Sequence, residues 1–392
     1  MSSSPSTPVL TPGLVGLFAL ACGVTVGNLY YGQPIIALIA PDVGLSEQTA
    51  SLIVSLTQIG YGLGLLFIVP LADRTENRRL TLILLAAAFL SLLAAALTSN
   101  GALFLIVSLL IGLATVAVQV LIPLAAHMAS DEKRGQIVGN IMGGLVLGIL
   151  LSRPLSSLIA DHFGWRAVYF TAAAFMVLMG GLLALTLPRR QPDHQTTYVR
   201  LIHSLTVLWR AHPALRLRTL FQACMFCAFS LFWTVAPLEL AGRFGLSQTQ
   251  IALFALVGAT GALAAPLSGR LADAGHTVKA TFGALAVGAV AMLVTLIPSM
   301  RGVIVLALLG VVLDFCVQMN MVQGQRAIYA LDPQSRGRVN GIYMAGIFTG
   351  GAIGSAISSP LYESGGWEYV ALAGGIAPLL ALVVFAVSYK RA

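Results

Sequence analysis

The stretch from Arg134 to Val168 constrains this chain most, because it occurs twice. It reads RGQIVGNIMGGLVLGILLSRPLSSLIADHFGWRAV, and a shift of 202 residues gives RGRVNGIYMAGIFTGGAIGSAISSPLYESGGWEYV over 336–370 without a gap. Arg134, Gly135, Gly139, Met142, Gly144, Gly148, Ser156, Ser157, Gly164, Trp165 and Val168 all reappear. A shorter echo lies upstream, where Leu71-Ala72-Asp73 returns as Leu271-Ala272-Asp273. Repetition of this kind sets an architecture before any local reading. The chain is expected to be two parallel copies of one unit.

The unit belongs in a membrane. Hydrophobic residues make up 58% of the chain and charged residues 9%, whereas soluble domains carry about 25% charged residues. A helix needs about 20 apolar residues to cross the bilayer core. Twelve stretches qualify, at 13–38, 48–71, 79–98, 102–126, 136–160, 165–187, 216–240, 249–271, 279–298, 302–326, 338–362 and 367–388. They are called spans 1 to 12 here. The fold expected is an all-α membrane protein with 12 transmembrane helices in two pseudo-symmetric six-helix bundles. The bundles take residues 1–187 and 216–392, and 188–215 forms a linker. Within the linker, Val199, Ile202, Leu205 and Leu208 fall at helical spacing beside Arg200, His203 and Arg210. That pattern predicts a basic amphipathic helix on the membrane face. The segment before span 1 carries no charge through Pro12, so it lacks the basic start of a signal peptide.

The net charge of +8 is a topology signal. Eighteen Lys and Arg residues fall in the linker, the termini and the loops on one side, against three (Arg166, Arg243 and Arg301) on the other. Positive residues mark the cytoplasmic side, so both termini and the linker are expected there, in a bacterial inner membrane. Nucleic acid is not an expected partner. The four cysteines, Cys22, Cys224, Cys227 and Cys316, lie in apolar runs. They read as packing residues rather than a disulfide framework or a redox pair.

Charge within a span is costly and therefore a functional hypothesis by default. Arg153 in span 5 and Asp314 in span 10 are the candidates, while Glu239 and His127 lie near span ends. A carboxylate in a low-dielectric cavity holds its proton more readily than one in water, so Asp314 is a candidate proton carrier with Arg153 as its partner. A static ion pair and a direct substrate contact are the other readings. Counted along the helices, the two differ in depth by roughly 8 Å. Polar residues gather at Asn28, Tyr30, Tyr31 and Gln33 of span 1, Gln58 and Tyr61 of span 2, and Gln119 of span 4. Gln318, Asn320 and Gln323 follow Asp314 on span 10. Buried amides must be satisfied, so these residues face a wet cavity or one another. Phe226, Phe229 and Trp233 share one face of span 7, either as packing or as a cavity wall. Asn28, Tyr31, Gln33, Gln58, Gln119, Phe229, Trp233, Gln318 and Asn320 are the candidate substrate contacts.

Gly144 and Gly148, and Gly346, Gly350 and Gly354, follow the small-xxx-small spacing that lets helices approach closely in lipid. They are expected where the two halves meet and rock. The turn after span 2 holds Asp73, Arg74 and Arg78, and Asp273 follows span 8. A carboxylate there can dock on the N-terminus of a facing helix. Asp73 is expected to cap span 11 and Asp273 span 5, breaking when the cytoplasmic side opens.

With these residues in place the chain resembles the major facilitator superfamily over essentially its whole length. That family's turn motif, Gly-x-Leu-Ala-Asp-Arg-x-Gly-Arg-Arg, is matched at Leu71, Ala72, Asp73, Arg74 and Arg78, with Val69 and Glu76 in place of glycines. The second copy keeps Gly269, Leu271, Ala272, Asp273 and Gly275. The resemblance implies a 12-helix alternating-access carrier whose cavity is lined by spans 1, 4, 7 and 10. Size and short loops are similar to bacterial drug:proton antiporters. Two departures stand out. Ser108 precedes Gly112 where those proteins carry arginine, and Gly148 to Arg153 replaces Gly-Pro-x-x-Gly-Gly.

The expectation is a secondary active transporter that moves a small organic solute, by proton-coupled efflux of a drug or metabolite. The alternatives are an uptake symporter or facilitator for a sugar or organic anion, which Arg153 would favour, and a non-transporting receptor. A channel fits the repeat poorly. No nucleophile–base set, metal cluster or phosphate loop stands out, so no enzyme activity, cofactor or metal is expected. The partners expected are substrate, protons and lipid, with the chain a monomer.

Overall fold

The computed structural model describes residues 11–130, 133–189, 197–258, 260–261, 264–332 and 335–389, without the side chains of 265, 266, 272, 273 and 389. The fold is all-helical. Among the described residues, nine helical stretches are long and apolar enough to cross a membrane. The last, Arg336–Tyr389, is two spans joined at a kink where Gly365 and Gly366 leave helical geometry. Span 1 is broken into shorter helices and span 8 is described as Gln248–Gly258 and Ala264–Asp273, which brings the spans to twelve. Large apolar side chains face outward around them, among them Leu185 at 86%, Phe163 at 79% and Ile304 at 76% exposed. A belt of this kind is tolerable only against lipid.

The helix boundaries follow local chemistry. Pro12 and Pro213 begin spans 1 and 7 at positions where a missing N–H costs nothing. The Asn100 side chain caps span 4, accepting from the Leu103 amide at 3.0 Å. Span 2 tightens to 3-10 geometry over Val69–Asp73 behind Pro70. Span 1 is helical over Pro12–Gly27, turns through 28–32, and resumes at Gln33–Ile35 and Ile36–Val43. Gly27, Gly32 and Pro34 account for the break, since glycine weakens a helix and proline removes a donor. The sequence reading had taken span 1 as continuous. The backbone freed by the turn is satisfied from span 5, where the Ser156 hydroxyl donates to the Tyr31 carbonyl at 2.7 Å.

The sequence repeat has structural counterparts. Gly164 and Gly366 both take positive φ, at 81° and 60°, and turn the chain into Trp165 and Trp367. Each indole N–H ties its helix to a neighbour at 2.9 Å, Trp165 to Asp42 and Trp367 to Thr295. Arg134 donates from Nε to the carbonyl of Ala126, and Arg336 does the same to Tyr329. A cation against the closing carbonyls of the preceding span is favourable at a helix C-terminus.

The close-packed glycines lie within each set of six spans, not between the sets as the spacing had suggested. Gly144 and Gly148 of span 5 pack on Ala19 and Gly23 of span 1, and Gly346, Gly350 and Gly354 of span 11 on Thr219, Ala223 and Cys227 of span 7. Between the two sets, Ser55 donates to the Ala352 carbonyl at 2.7 Å and Gln58 to Ser230 at 3.0 Å. Asp161 of span 5 accepts from Thr249 of span 8 at one end of the bundle. The opposite end carries most of the Lys and Arg and is called the basic end here. There a side chain at Gly135, Gly139 or Gly143 of span 5 would meet open space, while Ile141 is buried. The linker helix, Tyr198–Ala211, buries Leu201, Leu205 and Leu208 against the basic end, while Val199 is exposed.

Candidate functional site

The two formal charges singled out within the spans come to the same level. By 1.5 Å per residue, Arg153 lies about 15 Å and Asp314 about 16 Å from the non-basic ends of Arg134–Phe163 and Val303–Tyr329. The expected offset of roughly 8 Å disappears because span 5 continues to Phe163. Both side chains are buried.

Arg153 and Asp314 do not pair directly. Trp233 of span 7 stands between them. The guanidinium carbon lies 4.6 Å from the indole centroid, and the indole N–H donates to the Asp314 carboxylate at 2.8 Å. Tyr30 and Phe229 also place rings by the guanidinium, at 4.9 and 5.1 Å. A desolvated cation over an aromatic face gains about 2 kcal/mol or more. Donation to an ionised acceptor adds negative charge to the π face, so the two contacts on Trp233 strengthen each other. The indole thus couples the first six spans to the last six through one side chain.

Span 1 holds the other side of Arg153. Its Nε donates to the Gln33 amide oxygen at 2.8 Å. Arg153 Nη2 and Gln33 Nε2 lack any partner, as does Asn28 Oδ1, five residues before Gln33 in the chain. The Asn28 amide nitrogen meets only the Met176 sulfur, at 3.6 Å. Orphaned buried polar groups are uncommon, and two of them meet at the Arg153–Gln33 pair, which makes this pair the candidate ligand site.

The remaining candidates fall into smaller sets. Gln58 of span 2 reaches Ser230 of span 7. Gln119 donates to the Tyr61 hydroxyl at 2.9 Å, and the Tyr61 ring packs on Phe348 at 4.6 Å. From Phe348 the rings run on through Phe226 and Phe229 to Trp233. The aromatic face of span 7 therefore looks inward. Asn320 donates to Gln222 at 2.6 Å and Gln323 to Ser268, which ties both amides to neighbours within the last six spans, while the Gln323 amide oxygen is buried without a partner. Gln318 is half-buried and has no hydrogen-bond partner among the described residues. Tyr31 lies against Gly27 at the turn in span 1.

At the basic end, Asp73 and Arg74 are exposed, and neither side chain makes a hydrogen bond or ion pair among the described residues. Arg78 donates to the Ala184 carbonyl of span 6. The Asp273 side chain lies outside the described residues. Glu239, near the end of span 7, is buried and accepts from Tyr362 at 2.8 Å and Arg243 at 3.2 Å.

Sequence reasoning missed Ser230, Gln222 and Gly261. Gln222 was detectable, since it shares the face of Phe226, Phe229 and Trp233. Gly261 permits span 8 to press its backbone on Asp314, where any side chain would collide with the Val311 carbonyl and the Asp314 Cβ. Among the described residues no cluster of three or more His, Cys, Asp or Glu is placed to hold a metal.

Comparison with known proteins agrees with this architecture. The family model described as Major Facilitator Superfamily matches residues 15–330 and 218–392. The uncharacterized transporter YgaY of Escherichia coli O157:H7 is 39% identical over 388 residues, covering 97% of each chain. The probable transporter SCO4007 of Streptomyces coelicolor is 30% identical and covers 92% of this chain and 84% of its own. Among solved structures, a POT family transporter in complex with 5-aminolevulinic acid superposes with a TM-score of 0.77 at 14% identity, covering 97% of this chain and 96% of its own.

Proposed function

The chain belongs to the Major Facilitator Superfamily, and from that premise we propose that it is a proton-coupled secondary transporter of a small organic solute. Its halves, 1–187 and 216–392, joined by the linker 188–215, rock about the Arg153–Trp233–Asp314 group. The basic end faces the cytoplasm of a bacterial inner membrane, and the protein works as a monomer. One observation carries this reading: Arg153 and Asp314, opposite charges buried within the spans, sit at one level, on different halves, with a single indole between them. A group of this kind is bistable. With Asp314 ionised, the carboxylate, indole and guanidinium hold the halves together. With Asp314 protonated, the donation to it weakens to that of a neutral pair.

The exposed Asp73 and the open space beside Gly135, Gly139 and Gly143 fit a state open at the basic end and closed at the other. Asp73, Arg74, Arg78 and Asp273 act as the gate that forms when the basic end closes. The likeness to drug:proton antiporters makes solute efflux in exchange for protons one direction of coupling. Arg153 makes co-transport of an organic anion with a proton the other, and the site favours the latter for the reason developed below.

The test is flux in liposomes under an imposed pH gradient, with a panel of labelled anions, cations and neutral solutes. Asp314→Asn is expected to abolish gradient-driven accumulation while leaving solute counterflow. Flux indifferent to pH in the wild type would overturn proton coupling. Binding without flux in any orientation would overturn transport itself.

A further inference from the structure

We infer that the central site takes a small organic carboxylate, seated on Arg153 and Gln33, and that a proton on Asp314 crosses the membrane with it. This inference rests on the transport reading above and adds its substrate class.

The argument starts from donors. Guanidinium nitrogens only donate, so the Gln33 amide must turn its oxygen to Arg153 Nε, as it does at 2.8 Å. That fixes the amide nitrogen outward as a donor. Nη2 lies on the same edge of a guanidinium as Nε, so the unused Arg153 donor sits beside Gln33. Both Arg153 Nη2 and Gln33 Nε2 are buried and unpartnered. Two adjacent, unused donors, one of them charged, suit the two oxygens of a carboxylate. A cationic solute would add a second positive charge beside Arg153, and the unpartnered atoms of Arg153 and Gln33 offer it no acceptor. Rings of Tyr30, Phe229 and Trp233 surround the guanidinium, and they offer apolar wall to the body of the anion.

The proton follows from charge balance. Arg153 and Asp314 sum to zero. A bound carboxylate leaves one uncompensated negative charge in a region where charge is costly. The charged and titratable groups that face Asp314 are Arg153 of span 5 and Tyr30 of span 1. Span 7 presents Trp233 and span 8 presents Gly261, so neither supplies a compensating cation. Neutrality is restored when Asp314 accepts a proton, and the loaded, neutral site is the one that moves.

The experiment measures binding apart from flux. Purified protein is titrated in detergent with benzoate and with a panel of aromatic and aliphatic monocarboxylates. Benzamide serves as the neutral isostere and benzyltrimethylammonium as the cation, and Trp fluorescence and thermal shift are followed. Carboxylates are expected to bind and the neutral and cationic probes not. Arg153→Gln is expected to weaken carboxylate binding about 30-fold or more, as befits loss of a charge-assisted hydrogen bond, with Arg153→Lys recovering part of it. Gln33→Leu serves as a second variant should Arg153→Gln fold poorly, and is expected to weaken binding as well. Proton uptake should accompany benzoate uptake into vesicles, and Asp314→Asn should remove it. No binding of any carboxylate to the wild type, equal binding of benzamide, or carboxylate affinity unchanged in both variants would overturn the inference. Cation flux without carboxylate binding would overturn it and leave transport standing. Carboxylate binding without flux would keep the site and sink the transport reading.

Discussion

Replacing Trp233 with phenylalanine keeps a ring beside Arg153 but removes the N–H that Asp314 accepts at 2.8 Å. Trp233 is buried, so part of the cost is lost packing, about 1–3 kcal/mol for a reduced aromatic in a partly collapsible site. The rest is specific to the bond. A hydrogen bond to a charged group contributes about 1.5–3 kcal/mol, and its loss leaves the carboxylate without that donor. A double-mutant cycle separates the two. Asp314→Leu removes the acceptor and fills its space, and the double variant leaves neither group orphaned. Unfolding in mixed micelles with a graded denaturing detergent gives each stability. The cycle is expected to return a coupling of about 1.5–3 kcal/mol, because packing losses cancel between its arms. A coupling under about 0.5 kcal/mol, the error of additivity for independent sites, would refute the claim that the indole links the two charges.

Further expectations follow from other contacts. Gly148→Ala sets a methyl against the Gly23 backbone and should destabilise by about 1–3 kcal/mol. Gly139→Ala enters open space and should be neutral or stabilise by about 0.5–1 kcal/mol as a better helix former, and melting in detergent compares the two. Gln58→Leu breaks the 3.0 Å bond to Ser230 across the halves, costs about 1–2 kcal/mol and should alter the solute exchange rate more than affinity. Asp42 lies at the surface, beyond the apolar part of span 1, where the Trp165 N–H and then Arg166 hold its carboxyl below the usual carboxylate range. Its folded value is the lower one, so this small stabilisation is present above the unfolded value of about 3.9 and is lost as pH falls through the folded value. Asp42→Asn should therefore melt slightly below wild type at neutral pH and level with it in strong acid.

Much of the architecture was legible because it is written in composition and repetition. The 202-residue shift carries a glycine that needs positive φ and a tryptophan that anchors the next span, and the structure uses both copies in that way. Arg153 and Asp314 were legible for a related reason, since a formal charge in an apolar run is costly and stands out. The connection between them was not. Helical periodicity assigns Trp233 to a face but does not say which helix that face meets. The depth estimate failed because apolar content ends span 5 before the helix itself ends at Phe163. The glycine spacing announced close approach truthfully but named the wrong neighbours, because small-xxx-small rows serve contacts within a bundle as well as between bundles. The break in span 1 was visible in Gly27, Gly32 and Pro34, but continuous hydropathy masked it.

The most direct measurement drives protons with solute instead of solute with protons. Liposomes containing the protein and an internal pH dye, with no initial pH gradient, receive a benzoate gradient, with Asp314→Asn vesicles in parallel. Passive benzoic acid leakage is subtracted using protein-free vesicles. The account predicts a protein-dependent acidification of the lumen as benzoate enters, absent in Asp314→Asn although benzoate still exchanges. Protein-mediated benzoate flux that leaves the internal pH unchanged, or acidification that survives Asp314→Asn, would contradict proton coupling through the Arg153–Trp233–Asp314 group.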